Sequence, residues 1–327
     1  MTSIHTPDPT KTANLVDPSV LARIGNLEMR AKLVVEGFIQ GLHRAPNLGA
    51  STDFAEHRPY MPGDDLRRMD WRLYARTDRY YVKEFEADTN TNLLVVLDVS
   101  PSMRFGTKLR YASTLAACLA YFSSLQRDRV GLATFANGIV DYVPPSAKHL
   151  QLVLHSLDQA ERKAGGAYPS HSLGMTGRAD PSRSLGMTSL RTIFQRLADT
   201  VRRRSMVAII SDLYEEPDDI VDAVNELRGR GNDMMVLHVL DPAELEFPFE
   251  ESANFEDLET GVRMPIVPDY LRDEYRALVA RHVETLGRRL GGQNVDYSLF
   301  DTSQPMDKAL FRYLGARRKL DRARKVG

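Results

Sequence analysis

The spacing of apolar and polar residues changes character at residue 93. Before that point one stretch, PSVLARIGNLEMRAKLVVEGFIQGL (residues 18–42), carries apolar residues at helical intervals and predicts a helix ending near Gly41. From Leu93 onward short apolar runs alternate with helical patterns. The runs LLVVLD, RVGLATFA, IVDYV, SMVAIISD, DMMVLHVL and NVDYSLF predict strands. The stretches KLRYASTLAACLAYFSSLQ, AKHLQLVLHSLDQA, LRTIFQRLADTVRR, PDDIVDAVNELRGR and YLRDEYRALVARHVETLGRRL predict the helices between them. Strands that are apolar throughout and separated by helices form a mostly parallel sheet covered on both faces. RVGLATFA and IVDYV are joined only by Asn-Gly, a hairpin turn, which predicts one antiparallel strand at an edge. The expected fold class is a doubly wound α/β domain with an N-terminal extension.

Between the first helix and this domain, HRAPNLGASTDFAEHRPYMPGDDLRRMDWRLYARTDRY is rich in Pro, Gly, Asp and Arg and is expected to be irregular. YYVKEFE follows as a short strand, placed at a sheet edge. The expected organisation is a tail (1–17), an N-terminal helix with the Arg/Asp-rich segment and short strand (18–90), the α/β domain (91–302) and a basic C-terminal segment (303–327). SLGMT occurs twice, at Ser172–Thr176 and Ser184–Thr188, within a long polar connection.

Composition narrows the class without naming a function. The chain has 327 residues, 43% hydrophobic and 27% charged, as in ordinary globular proteins. No apolar run reaches the ~20 residues that span a bilayer, and the first residues lack a secretory pattern, so a cytoplasmic protein is expected. The single cysteine, Cys118, excludes an internal disulfide and a cysteine-rich metal site. A net charge of −1 gives no general attraction to nucleic acid. The basic terminus GARRKLDRARKVG lacks the interleaved aromatics of a single-strand binder. The acidic stretch ELEFPFEESANFEDLE reads as a solvated surface segment.

Two strands end on an acid: LLVVLD on Asp98 and SMVAIISD on Asp212. Open α/β sheets bind ligands beyond the carboxyl ends of their strands, where the strand order reverses. If these two strands flank that point, their carboxylates converge. Ser100 and Ser102 follow Asp98, and Thr188 precedes the helix leading to the Asp212 strand. Thr176 shares its local sequence and is the alternative hydroxyl. Two carboxylates and three hydroxyls are a hard, all-oxygen donor set suited to Mg²⁺ or Mn²⁺.

The pattern Asp98-x-Ser100-x-Ser102 with Thr188 and Asp212 resembles the metal-ion-dependent adhesion site of von Willebrand factor A domains. That resemblance implies a non-enzymatic module whose protein partner supplies an acidic residue to the metal. A second resemblance lies upstream. Arg58, Tyr60, Gly63, Asp64, Asp65, Arg67, Asp70, Trp71, Ala75 and Arg76 are similar to the signature of the family called domain of unknown function 58. Membership implies an association with MoxR-type AAA+ ATPases in assembly or activation of other proteins. It makes Arg58, Asp64, Asp65, Arg67, Asp70, Trp71 and Arg76 candidates for partner binding, beside the simpler reading of an ion-paired brace. The competing enzymatic reading is a Mg²⁺-dependent phosphatase with Asp98 as nucleophile. Such enzymes place an acid two residues further on, where this chain has Ser100, a hydroxyl unfit to protonate a leaving group at neutral pH.

Overall fold

The computed structural model describes residues 26–44, 57–59, 74, 76, 77, 79–83, 91–163, 189–201, 204–259, 261–310, 312 and 313. The chain divides into two units, one of Gln40–Asn90 and one joining the chain up to Ile39 with Thr91 onward. The smaller unit contains an antiparallel ladder of β1 (His57–Pro59) and β2 (Tyr81–Lys83), with Arg58 opposite Val82. Tyr74 and Tyr80 stack there with ring centroids 4.6 Å apart. The YYVKEFE strand therefore pairs with β1 and takes no place in the main sheet.

Helix α1 (Leu27–Arg44), which belongs to the larger unit up to Ile39, starts where Asn26 accepts the Met29 N–H on its side chain at 3.3 Å. The main sheet then begins with β3 (Asn92–Asp98), followed by α2 (Lys108–Leu125), β4 (Arg129–Phe135), β5 (Ile139–Ser146) and α3 (Leu150–Lys163). Next come α4 (Leu190–Thr200), β6 (Met206–Ser211), α5 (Pro217–Arg228), β7 (Asp233–Leu240) and the short α6 (Pro242–Glu246). A hairpin of β8 (Ala253–Glu256) and β9 (Arg263–Ile266) leads into the long α7 (Pro268–Gly292) and the last strand, β10 (Asp296–Asp301).

The six-stranded sheet has the order β10-β7-β6-β3-β4-β5, parallel except for β5. This is a doubly wound α/β sheet with one antiparallel edge strand. Pro144 and Pro145 sit in β5, where an edge strand tolerates residues without a ladder N–H. β3 is central and buried along its whole length. Its side chains alternate between two cores. Leu93, Val95 and Leu97 pack with residues of α1, α2 and α3, while Leu94 and Val96 pack with α4, α5 and α7. Burying each such side chain contributes about 1.5–3 kcal/mol, which is why a strand covered on both faces is uniformly apolar.

The chain runs outward from β3 to β4 and β5 on one side, then returns to lay β6 on the other. The order reverses between β3 and β6, the point at which open α/β sheets form a crevice beyond the carboxyl ends of their strands.

Phe194 on α4 is fully buried and meets Phe135 edge-on at 5.4 Å between centroids. Phe194→Ala should cost about 3–5 kcal/mol in urea unfolding. Leu152→Ala, at a position 48% exposed on α3, should stay within about 0.5 kcal/mol of the parent.

Candidate functional site

The last register pair of the two central strands is Leu97 beside Ile210. One step further, Ser211 donates its hydroxyl to Asp98 Oδ2 at 2.6 Å. The other oxygen, Asp98 Oδ1, accepts the Ser100 backbone N–H at 2.9 Å, which turns the chain back over the strand tip. A 3₁₀ turn at Ser102–Arg104 follows, and the Ser100 and Ser102 hydroxyls stand 3.0 Å apart. The loop closes at Gly106, whose left-handed φ of 56° is matched by lack of space: a Cβ there would lie 2.3 Å from the Asp241 carboxylate.

Asp98 and Asp212 are 6% and 3% exposed at neighbouring strand ends. Burial, and then the nearby Asp212 charge, lift the Asp98 carboxyl to about 7 against the pull of its Ser211 and Ser100 hydrogen bonds.

Asp212 is compensated from within the chain. Lys108, the first residue of α2 and 0% exposed, donates to Asp212 Oδ2 at 2.7 Å and to Glu244 Oε1 at 2.6 Å. Its ammonium also lies 4.9 Å from the centre of the Tyr214 ring. Burial opposes the charge on Lys108, but Asp212 and Glu244 outweigh it and raise its pKa. Glu244 uses its second oxygen to accept the Asp241 N–H at 2.9 Å, and Asp241 in turn accepts the Ala243 N–H at 3.0 Å. This reciprocal cap starts α6 and orients the carboxylate that meets Lys108.

Two histidines grip the turn after β6. His238 Nε2 bonds the Asp212 carbonyl at 2.8 Å, and His282 Nε2 bonds the Leu213 carbonyl at 2.7 Å. Burial, with a further push from His282, lowers the His238 pKa to about 3. A neutral ring donating from Nε2 accepts at Nδ1, so the Tyr297 hydroxyl, 2.7 Å away, is the donor there. Leu213, buried with φ 47°, is a leucine in the left-handed region, and its N–H is taken by the Ser211 hydroxyl at 3.1 Å. On the far side of the loop, Ser102 N–H donates to Glu259 Oε1 at 2.9 Å. Glu215, further along the loop after β6, is exposed to solvent.

Of the residues singled out in the sequence, Asp98, Ser100, Ser102 and Asp212 come together at the reversal of strand order. Thr188, its alternative Thr176 and the duplicated SLGMT loop lie outside the described residues, as do Asp64, Asp65, Arg67, Asp70 and Trp71. Arg58 is placed in β1, and Arg76 is exposed. Among the described residues no three His, Cys, Asp or Glu side chains are grouped to share a metal ion, so hydroxyls would have to complete any cage. Lys108, Ser211, Glu244 and Glu259 carry the rest of the site and stood out in no motif. The acidic stretch does not behave as one solvated segment, since Glu244 is fully buried and Glu259 is half-buried against Ser102.

The chain matches the family described as "Protein of unknown function DUF58" over residues 56–285, more than half its length. It belongs to the DUF58 family. Uncharacterized proteins of Mycobacterium tuberculosis and Mycobacterium bovis are 27% identical to it over 324 residues, covering 97% of this chain and 95% of theirs. Among solved structures it is similar to BatB of Bacteroides thetaiotaomicron, with 18% identity, 70% of this chain and 99% of that chain covered, and a TM-score of 0.40. An aerotolerance-related membrane protein of Bacteroides fragilis matches at 18% identity over 69% of this chain and 99% of that one, with a TM-score of 0.41. No helix among the described residues of this DUF58 protein is long and apolar enough to cross a membrane.

In this DUF58 protein Lys108→Met removes the ammonium and leaves Asp212 and Glu244 buried without a counter-charge. Urea unfolding at neutral pH should show a loss of about 3–5 kcal/mol. The triple change Lys108→Met, Asp212→Asn, Glu244→Gln should recover most of it, because no bare charge then remains inside. A single variant as stable as the parent would refute the ion-pair account.

Proposed function

We propose that this DUF58 protein is a non-enzymatic, metal-dependent protein-binding module, with a von Willebrand factor A-like domain and a Mg²⁺ or Mn²⁺ site at the β3–β6 crevice. The observation that carries the reading is the convergence of the Asp98, Ser100 and Ser102 oxygens with Asp212 at that crevice. The donor chemistry fits a small hard cation. A carboxylate offers about four acceptor positions, and Asp98 spends two of them, on Ser211 and on the Ser100 N–H. The adjacent Ser100 and Ser102 hydroxyls add neutral oxygens. Asp212 already shares one oxygen with Lys108, so it would act more weakly, as an orienting and charge-balancing group. Asp98, Ser100 and Ser102 would hold the ion, and Asp212 would border it. Thr188, a member of the motif by sequence alone, is the remaining candidate donor.

A bound divalent ion supplies Lewis acidity toward an oxygen ligand. With Asp98 as its one direct carboxylate and Asp212 engaged by Lys108, it would favour an acidic side chain brought by another protein. The strand order and the antiparallel edge strand support the A-type domain. The choice of a MoxR-type AAA+ ATPase as the working partner rests on family resemblance alone, and so does the docking role of Arg58, Asp64, Asp65, Arg67, Asp70, Trp71 and Arg76.

Calorimetry of the full chain should show Mg²⁺ and Mn²⁺ binding that is lost in Asp98→Ala and weakened about tenfold or more in Ser100→Ala. Association with the MoxR-type ATPase of the same organism should need the divalent ion and fail in Asp98→Ala. Association that persists in chelator would refute the proposal.

A further inference from the structure

The β8–β9 hairpin carries Glu259 to the very loop that begins with Asp98. Its Oε1 accepts the Ser102 backbone N–H at 2.9 Å, although the two residues are 157 positions apart in the chain. The hairpin is fixed to that loop by an apolar cluster of its own. Phe105, just after the 3₁₀ turn, packs with Phe247, Phe255 and Ile266. The Phe247 and Phe255 rings lie 5.8 Å apart and stacked.

The hairpin turn is wound to present this glutamate. Asp257 accepts the Glu259 N–H on its side chain at 2.8 Å and the Gly261 N–H on its carbonyl at 2.7 Å. Its own N–H reaches the Val262 carbonyl at 2.9 Å, and Gly261 turns the chain with φ 71°. Electrostatics alone would send Glu259 elsewhere. Leaving water for a place beside the Asp98 loop, with Asp257 in the same turn, costs it solvation. A glutamate near the surface could turn to water and avoid that cost, yet this one enters a region already rich in carboxylates. The Ser102 amide and hydroxyl are the groups that reward it.

We propose that the Asp98–Ser102 loop is a carboxylate-receiving site and that Glu259 is its tethered occupant in the isolated chain. The partner that binds there presents an acidic side chain, Asp or Glu, and displaces Glu259. This rests on the reading of the loop as the docking point for a partner's acid, and it adds what holds that point closed. Exchanging one carboxylate for another leaves the charge of the crevice unchanged, so the competition is decided by tethering. A tethered group competes at an effective concentration of millimolar or more. Free carboxylates at similar concentration therefore bind weakly while Glu259 is in place.

The test uses the full ¹⁵N-labelled chain and sodium acetate as the probe, with the Ser102 amide followed by transverse-relaxation-optimised NMR in chelator and in Mg²⁺. Glu259→Ala should move the Ser102 amide resonance, and acetate should return it toward its original position. Half-saturation in that variant should come at an acetate concentration about tenfold lower than in the parent. Glu259→Gln, which keeps the shape of the side chain and the hairpin contacts, should respond to acetate between the two. Acetate that leaves the variant resonance unmoved, or moves parent and variant alike, overturns the proposal. The two readings fail separately. An acetate response equal in chelator and Mg²⁺ keeps the tethered acid and removes the metal from it. Mg²⁺ shifts at Ser100 and Ser102 in both proteins, with no acetate response, keep the metal and remove the tethered acid.

Discussion

Lys108 has no access to solvent, and stripping an ammonium of water costs several kcal/mol unless partners replace the lost hydration. Asp212 and Glu244 do so at 2.7 and 2.6 Å. One partner follows β6, another sits on α6 and the lysine opens α2, so three elements from distant parts of the chain are pinned at one point. Separating any of them would leave a bare charge in the interior. The arrangement fixes where the tip of β6 lies against the start of α2, and with it the width of the crevice beside Asp98. It also assigns the charges. Asp212 is balanced internally, whereas among the described residues no ion pair includes Asp98, which rests on a hydroxyl and an amide.

The turn after β6 shows that this geometry is held under load. A leucine at φ 47° carries a conformational cost of about 1–3 kcal/mol, which persists only where the surroundings over-determine it. Here both carbonyls of Asp212 and Leu213 are taken by histidines, and the Leu213 N–H is taken by Ser211. Ser211 also bonds Asp98, so the same hydroxyl that braces the strained turn orients the opposite carboxylate. His282 belongs to α7, which starts directly after the β8–β9 hairpin. The hairpin and the turn are thus linked through one helix, and the crevice is preorganised from both rims.

Much of this was legible because burial leaves a mark on sequence. LLVVLD and SMVAIISD are uniformly apolar until their final acid, which reveals both a strand covered on two faces and a carboxylate at its tip. The Asn-Gly hairpin marks the antiparallel edge strand, whereas the place of β6 beside β3 was only a condition in the sequence, because a long connection separates β5 from β6. The compensating groups left no such mark. Lys108 lies 104 positions from Asp212 and 136 from Glu244, and at the start of an amphipathic helix a lysine looks like any solvated residue. Glu244 was hidden in an acidic run and on a helix of only five residues. The four-residue strands ANFE and RMPI are too short and too mixed for alternation to show. YYVKEFE had the composition of an edge strand, and local composition does not specify which edge.

Charge works against a carboxylate in this crevice, so other contacts must hold Glu259 there. Lys108 is paired with Asp212 and Glu244, and among the described residues neither Asp98 nor Glu259 has a cation in an ion pair, so the crevice is short of positive charge even after Lys108 is counted. Burial first, and then the Asp212 charge, raise the Asp98 pKa, so part of that rise reflects the shortage. On the proposed reading, a cation would relieve that shortage, since like charges in a poorly solvated space repel strongly. Glu259 tolerates the same repulsion because the Ser102 amide and the Phe105–Phe255 cluster hold it there. An incoming acid would inherit the amide but not the cluster. It must therefore bring contacts of its own from the surface that carries it, so selectivity would reside in that surface rather than in the carboxylate.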